Sequence, residues 1–285
     1  MRSELKELWS YRELLYVMVQ RDLRIRYKNS ALGIVWSFLN PLLQVLVMSF
    51  VFSTFLRIDV PNYTAYMLAA YLPFMFFQFS VLDSAQSVLA QAPLIKKIYF
   101  PREILPLATV IANFIHLMIG FGIFFGLLLL VYIRDPRVFP FQATTIYLPI
   151  LLVISFMLAT GAALIVSALN TFYEDVKYIV QVLMYLLMYL SPVIYFAEMV
   201  ANSKLNKDSG FLLYKLYNLN PIAALCTGFR KALLAPVDVP VAGGIAKADV
   251  MPWNYIGLSA ITATIFLIFG YWLFNKLKWK FVERP

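Results

Sequence analysis

The residues whose spacing stands out in this chain are mostly neutral, and that limits the chemistry they could do. Gly33, Ser37, Asn40 and Gln44 follow one another at four, three and four residues, a spacing that lines them along one helix face. Tyr178, Gln181, Tyr185, Tyr189 and Pro192 form a second row of the same kind among Val180, Val182, Leu183, Leu186 and Leu187. Tyr66, Phe74 and Phe77 add further rings, with Pro73 between them. Uncharged faces of Tyr, Phe, Asn and Gln suit a ligand such as a sugar, whose C–H faces stack on rings while its hydroxyls need neutral donors and acceptors. The same rows would also serve as helix-packing faces. Groups for catalysis are sparse: Glu174-Asp175 is the nearest approach to paired acids, His116 is the one histidine, and Cys226 is the one cysteine. No His/Cys/Asp/Glu grouping has metal-ligand spacing, and no Ser/His/Asp set is assembled. No glycine is followed by lysine, so the chain has no G-x-x-x-x-G-K-[S/T] loop for ATP phosphates. Energy for any active process must come from another polypeptide; otherwise the chain is a passive channel.

The elements that position these rows are membrane helices. Of 285 residues, 62% are hydrophobic and 14% charged, with a mean hydropathy of +0.76. A spanning helix needs about 20 mostly apolar residues, and six stretches qualify, roughly 31–56, 63–82, 108–133, 144–170, 178–197 and 253–275. They lack the alternation of barrel strands. Within those limits there is no Asp, Glu, Lys or Arg, whereas ion-coupled carriers normally place ionisable groups at depth. Pro41 and Pro73 are expected kink points. Charges throughout Met1 to Tyr27 and the lack of a short apolar core there give no expectation of a cleavable signal.

Charge supplies an orientation. The net charge is +9, with seven Lys/Arg in residues 1–30, four in 276–285, and Lys96, Lys97 and Arg102 in the loop 83–103. The short loops 57–62 and 134–143 hold three together. Both termini are therefore expected on the cytoplasmic side, and the basic balance is assigned to topology and anionic lipid, with no nucleic-acid partner. Residues 4–28 read as one amphipathic interfacial helix with Lys6, Glu13, Gln20, Arg21, Arg24 and Lys28 in one sector and Trp9 at the boundary, turning at Lys28-Asn29-Ser30 into the first span. A cytoplasmic helix packed on a partner is compatible with the same pattern. In "DSAQSVLAQAPLIKKIYFPREILPL", Pro93 opens a short helix, Ile98-Tyr99-Phe100 forms an apolar knob and Pro101 stops it. That knob is expected to insert into a partner. Segment 198–252 is too long for a bare connection; its stretch "LYNLNPIAALCTGFRKALL" reads as a re-entrant or interfacial hairpin. Pro236, Pro240 and Gly243-Gly244 read as a flexible loop before the last span.

Four stretches, "RDLRIRYKNSALGIVWSFLNPL", "LIKKIYFPREILPL", "YLSPVIY" and "NLNPIAALCTGFRKALL", together with six spans in order, resemble the permease subunit of ABC-type polysaccharide exporters, the Wzm-like proteins. The likeness covers nearly the whole chain. It implies an all-α integral membrane protein with an interface helix at 1–30 and a six-helix permease domain at 31–285. It implies a homodimer in the inner membrane that works with two copies of a separate ATPase, which binds ATP and Mg while this chain binds no cofactor and is no enzyme. The implied cargo is a lipid-linked polysaccharide of the O-antigen type. By position, the coupling helix falls at about 93–103, with Pro93, Lys96, Lys97, Tyr99, Phe100 and Arg102. The implied channel at the dimer interface takes Trp36, Tyr66, Phe74, Phe77, Tyr185 and Tyr189, joined by Asn40, Gln44 and Gln181 from the polar rows. An outer gate at about 196–234 and its approach take in Pro192, Tyr195, Asn220, Pro221, Phe229 and Arg230. Export of teichoic acid, a lipid or a drug is the alternative within the superfamily. A membrane-embedded glycan- or lipid-processing enzyme is the alternative outside it, and would need an acidic or histidine cluster at the interface.

Overall fold

The computed structural model describes residues 2–27, 35–55, 58, 60–134, 141–241, 244–248 and 250–282. Gly33 and the turn at Lys28-Asn29-Ser30 lie outside the described residues. The chain is mostly helical: α1 Arg2–Ser10, α2 Arg12–Tyr27, α3 Trp36–Thr54, α4 Tyr63–Ser87, α5 Ala92–Ile95, α6 Ile104–Arg134, α7 Leu148–Asn170, α8 Asp175–Tyr189, α9 Ala197–Ala201, α10 Lys204–Asp208, α11 Leu212–Asn218, α12 Pro221–Leu233 and α13 Trp253–Leu277. Among the described residues four helical stretches are long and apolar enough to cross a membrane: Tyr63–Ser87, Ile104–Ile133, Ala143–Asn170 and Trp253–Phe281. This is a multi-pass membrane protein. The expected first and fifth spans fall on α3, with 19 residues, and α8, with 15. At 1.5 Å per residue, α8 is about 22 Å long, short of a hydrocarbon core of about 30 Å. It ends at Tyr189 rather than running to 197 because Pro192 lacks an N–H and disfavours helix at Ser191.

α4 is the hub. Its sequence is apolar around the whole circumference, which marks a helix buried on all sides, and Met67 to Phe74 are buried without a break. It packs against α3, α6, α7, α8 and α12. The tightest seam joins α7 to α13. A Cβ added at Gly161 would overlap the backbone of Phe266 and Leu267, and one at Gly270 would overlap the carbonyl of Gly161. Only glycine at both positions lets the two backbones approach this closely.

Two local expectations are corrected. The N-terminal helix is not continuous: it breaks at Tyr11, where the Ser10 hydroxyl donates to the Glu7 carbonyl at 2.6 Å and competes with the helical ladder. The segment around Pro240 and Gly244 is not all loop. Val239–Val241 (β1) pairs antiparallel with Gly244–Ala246 (β2), Val239 opposite Ala246 and Val241 opposite Gly244. Pro240 is tolerated because a two-stranded ribbon consists only of edge strands.

Candidate coupling, gate and channel surfaces

The loop between α4 and α6 lies at one end of the bundle. Pro93 sits in the first turn of the four-residue α5, where a missing N–H costs nothing. Lys96 N–H still bonds Ala92 O at 3.1 Å, and Ile98 N–H bonds Leu94 O at 3.1 Å, before Phe100 and Pro101 leave helical geometry. Lys96, Lys97 and Ile98 are exposed, and Tyr99 is 66% exposed. Phe100 departs from the expected knob: it is 4% exposed and packs in this chain's own core with Ile104, Leu105 and Met18. The exposed knob is therefore Ile98-Tyr99. The Tyr99 hydroxyl donates to Glu7 Oε1 at 3.1 Å, tying α1 to the loop, and that carboxylate raises the tyrosine pKa.

Arg102 points inward. Its Nη1 donates to the carbonyl of Lys278, and its guanidinium lies 6.0 Å from the Phe281 ring centroid. Lys278 Nζ returns to Glu103 Oε1 at 2.7 Å, with those side chains 12% and 2% exposed. The start of α6 is thus locked to the tail of α13. On its other side, α2 buries Met18 and Val19 against the bundle, each worth about 1.5–3 kcal/mol relative to exposure in water. Arg26 bonds Asp83 Oδ2 at 2.7 Å and Asn113 Oδ1 at 3.0 Å. Asp83 lies one residue beyond the expected second span; α4 runs on to Ser87 and carries it.

At the opposite end, Arg230 is 4% exposed. Its Nε donates to Tyr66 O at 2.9 Å, Nη1 to Tyr195 O at 2.5 Å and Nη2 to Val193 O at 2.5 Å. The guanidinium also stands 4.7 Å over Phe196. Asn220 caps α12, its Oδ1 accepting from Ile222 N at 3.1 Å while Nδ2 donates to Ser191 Oγ at 3.0 Å. Pro221 follows in the first turn. Phe229 is fully buried and stacks on Phe121 at 5.8 Å, and Pro192 is buried with it in this corner. Tyr195 stays partly exposed, donating its hydroxyl to Tyr189 O at 2.9 Å. These residues, all placed in the gate from sequence, fasten the chain leaving α8 onto α12.

The channel candidates divide in two. Trp36, Asn40 and Gln44 are exposed on α3; Gln44 Nε2 donates to Asn40 Oδ1 at 2.8 Å, and the Tyr71 hydroxyl donates to Gln44 Oε1. On α8, Gln181, Tyr185 and Tyr189 are exposed together with Tyr178; this helix seats itself on the bundle through Val180 and Met184. Phe74 and Phe77, by contrast, are 1% and 9% exposed inside the core, because α4 packs against five other helices there. Tyr66 is partly buried and donates to Ala235 O at 2.5 Å. The structure thus brings Tyr66 to the Arg230 corner and buries Phe74 and Phe77 in the core. Sequence reasoning missed Tyr71, Glu103 and Lys278, whose partners lie far along the chain.

Comparison with known proteins matches residues 13–234 to the family described as ABC-2 type transporter. The chain belongs to that family. A relative named "O-antigen export system permease protein RfbA" from Klebsiella pneumoniae is 30% identical over 271 residues, covering 95% of this chain and 94% of the relative. A protein of the same name from Myxococcus xanthus is 30% identical over 225 residues, covering 79% of this chain and 82% of its own length. The part of the chain matched to the ABC-2 family runs from α2 through α12, so it includes the α4–α6 loop, both exposed rows and the Arg230 corner.

Proposed function

We propose that this ABC-2 family member is the membrane half of an ATP-driven exporter that moves a lipid-linked polysaccharide of the O-antigen type across the inner membrane. It works as a homodimer, with both termini cytoplasmic, six membrane segments per subunit counting α3 and α8, and two copies of a separate ATPase docked beneath. The observation that carries this reading is the exposed, uncharged row Gln181, Tyr185 and Tyr189 on α8. An amide facing hydrocarbon is costly, so the row belongs against water or a second subunit rather than lipid. With Trp36, Asn40 and Gln44 of α3 it supplies stacking rings and neutral hydrogen-bonding groups. Weak, repeated sites of that kind let a polymer slide without a deep trap, the compromise any conduit needs. The relatives' names support the cargo, and the exposed Ile98-Tyr99 knob supports an ATPase below it.

Replacing Tyr185 and Tyr189 by Ala is expected to slow glycan export into inverted vesicles by about tenfold, roughly the loss of one stacking interaction of 1–1.5 kcal/mol, with ATPase binding unchanged. Export at the wild-type rate in both variants would return the row to packing.

A further inference from the structure

Beneath the segment leading into β1 lies a cavity of about 270 Å³, lined among others by Tyr66, Phe196, Glu198, Thr227, Lys231 and Met251. That is room for one sugar ring. Glu198 and Lys231 form an ion pair at 2.9 Å on its wall, their side chains 13% and 18% exposed. Arg230 also lines it, with its guanidinium committed to three backbone carbonyls.

This wall selects against most ligand classes. A phosphate or carboxylate would face the Glu198 carboxylate, and a cation would face Arg230 and Lys231. A hydrocarbon would strip water from the ion pair with no compensating bond. A neutral polyhydroxylated ring suits both parts of the lining: its hydroxyls donate to Glu198, while Lys231 stays on Glu198 and on the Val250 carbonyl at 3.2 Å, and its C–H face lies on Tyr66 and Phe196. We infer that this cavity is a binding site for a single neutral sugar residue, distinct from the α3 and α8 rows and placed at the gate end of the bundle. It rests on the export reading, under which it would hold the leading unit of an emerging chain.

The test uses the purified permease–ATPase complex in nanodiscs with 13C-methyl methionine, because Met251 lines the cavity. Methyl glycosides of glucose, galactose, mannose and N-acetylglucosamine are titrated to millimolar concentration. At least one should move the Met251 methyl signal saturably, with affinity reduced about tenfold or more in Glu198→Gln, the loss of one charged hydrogen bond. Val237→Trp, which fills the cavity and leaves the ion pair intact, should abolish the response and controls for misfolding of the first variant. No Met251 response to any glycoside, an unaltered response in both variants, or a response to inorganic pyrophosphate alone would overturn the site. ATP-dependent glycan export by the same complex is measured in parallel. Export with a silent Met251 overturns the sugar site only; a responsive Met251 without export overturns the export reading and leaves the sugar site standing.

Discussion

The two ends of the bundle satisfy their most buried charge differently, although the second also holds the Glu198–Lys231 pair at 2.9 Å. Where α2, the α4–α6 loop and the tail of α13 meet, charge answers charge across long sequence distances: Arg26 with Asp83, Lys278 with Glu103, each at 2.7 Å. At the other end the buried cation Arg230 is satisfied by three backbone carbonyls and an aromatic face. An ion pair between side chains can open and reform as its two elements move, and the half-exposed Arg26–Asp83 pair contributes about 1 kcal/mol or less. A guanidinium fixed to carbonyls of two separate segments cannot let go without leaving buried acceptors bare. The half-exposed Arg26–Asp83 pair is thus the weaker tie and the Arg230 corner the stronger.

Substitutions that break this contrast rank by size. Arg230→Met strips three carbonyls of their donor and should cost about 3 kcal/mol or more, read as a lowered apparent Tm of the detergent-solubilised protein; an unchanged Tm would mean that the corner is held by something else. Glu103→Gln leaves a largely buried ammonium without its counter-charge and should cost about 1.5–3 kcal/mol. A double-mutant cycle with Lys278→Met separates that pair from its surroundings, and zero coupling would dissolve the proposed lock. Tyr99→Ala touches an exposed ring and should leave stability within about 0.5 kcal/mol of wild type, read as an almost unchanged Tm. It should nevertheless remove permease-stimulated ATP hydrolysis. Stimulation that survives the change would show that the loop is not the contact with the motor.

The long helices were legible because their signal is length and composition. α4, α6, α7 and α13 stand out in the sequence as apolar runs of sufficient length, but that α4 is central does not: its rings Tyr66, Phe74 and Phe77 read as channel-lining until the packing around them is seen. Where the expectation overran, at α8, a Ser-Pro pair inside an otherwise apolar stretch ended the helix, and composition alone cannot weigh that against hydrophobicity. Ile98-Tyr99-Phe100 in a basic loop reads as a set of apolar side chains that need burial in a partner, but whether a ring there turns out or in depends on which core lies behind it. The Gly161–Gly270 contact and the Glu103–Lys278 pair, the latter 175 residues apart, carry no local signature at all. Arg230 was singled out, yet its carbonyl partners are backbone atoms that every sequence possesses. The polar row of α3 was read with Gln44 as a lumen group; its bond from Tyr71 needed the packing of α3 on α4 to be seen.

The central claim is that the chain conducts without powering. Its most direct test is accumulation of a lipid-linked glycan inside vesicles that contain either the permease alone or the permease with its ABC ATPase and ATP-Mg. The account predicts uptake in the second preparation and none above leakage in the first. Concentrative uptake by the permease alone would contradict it.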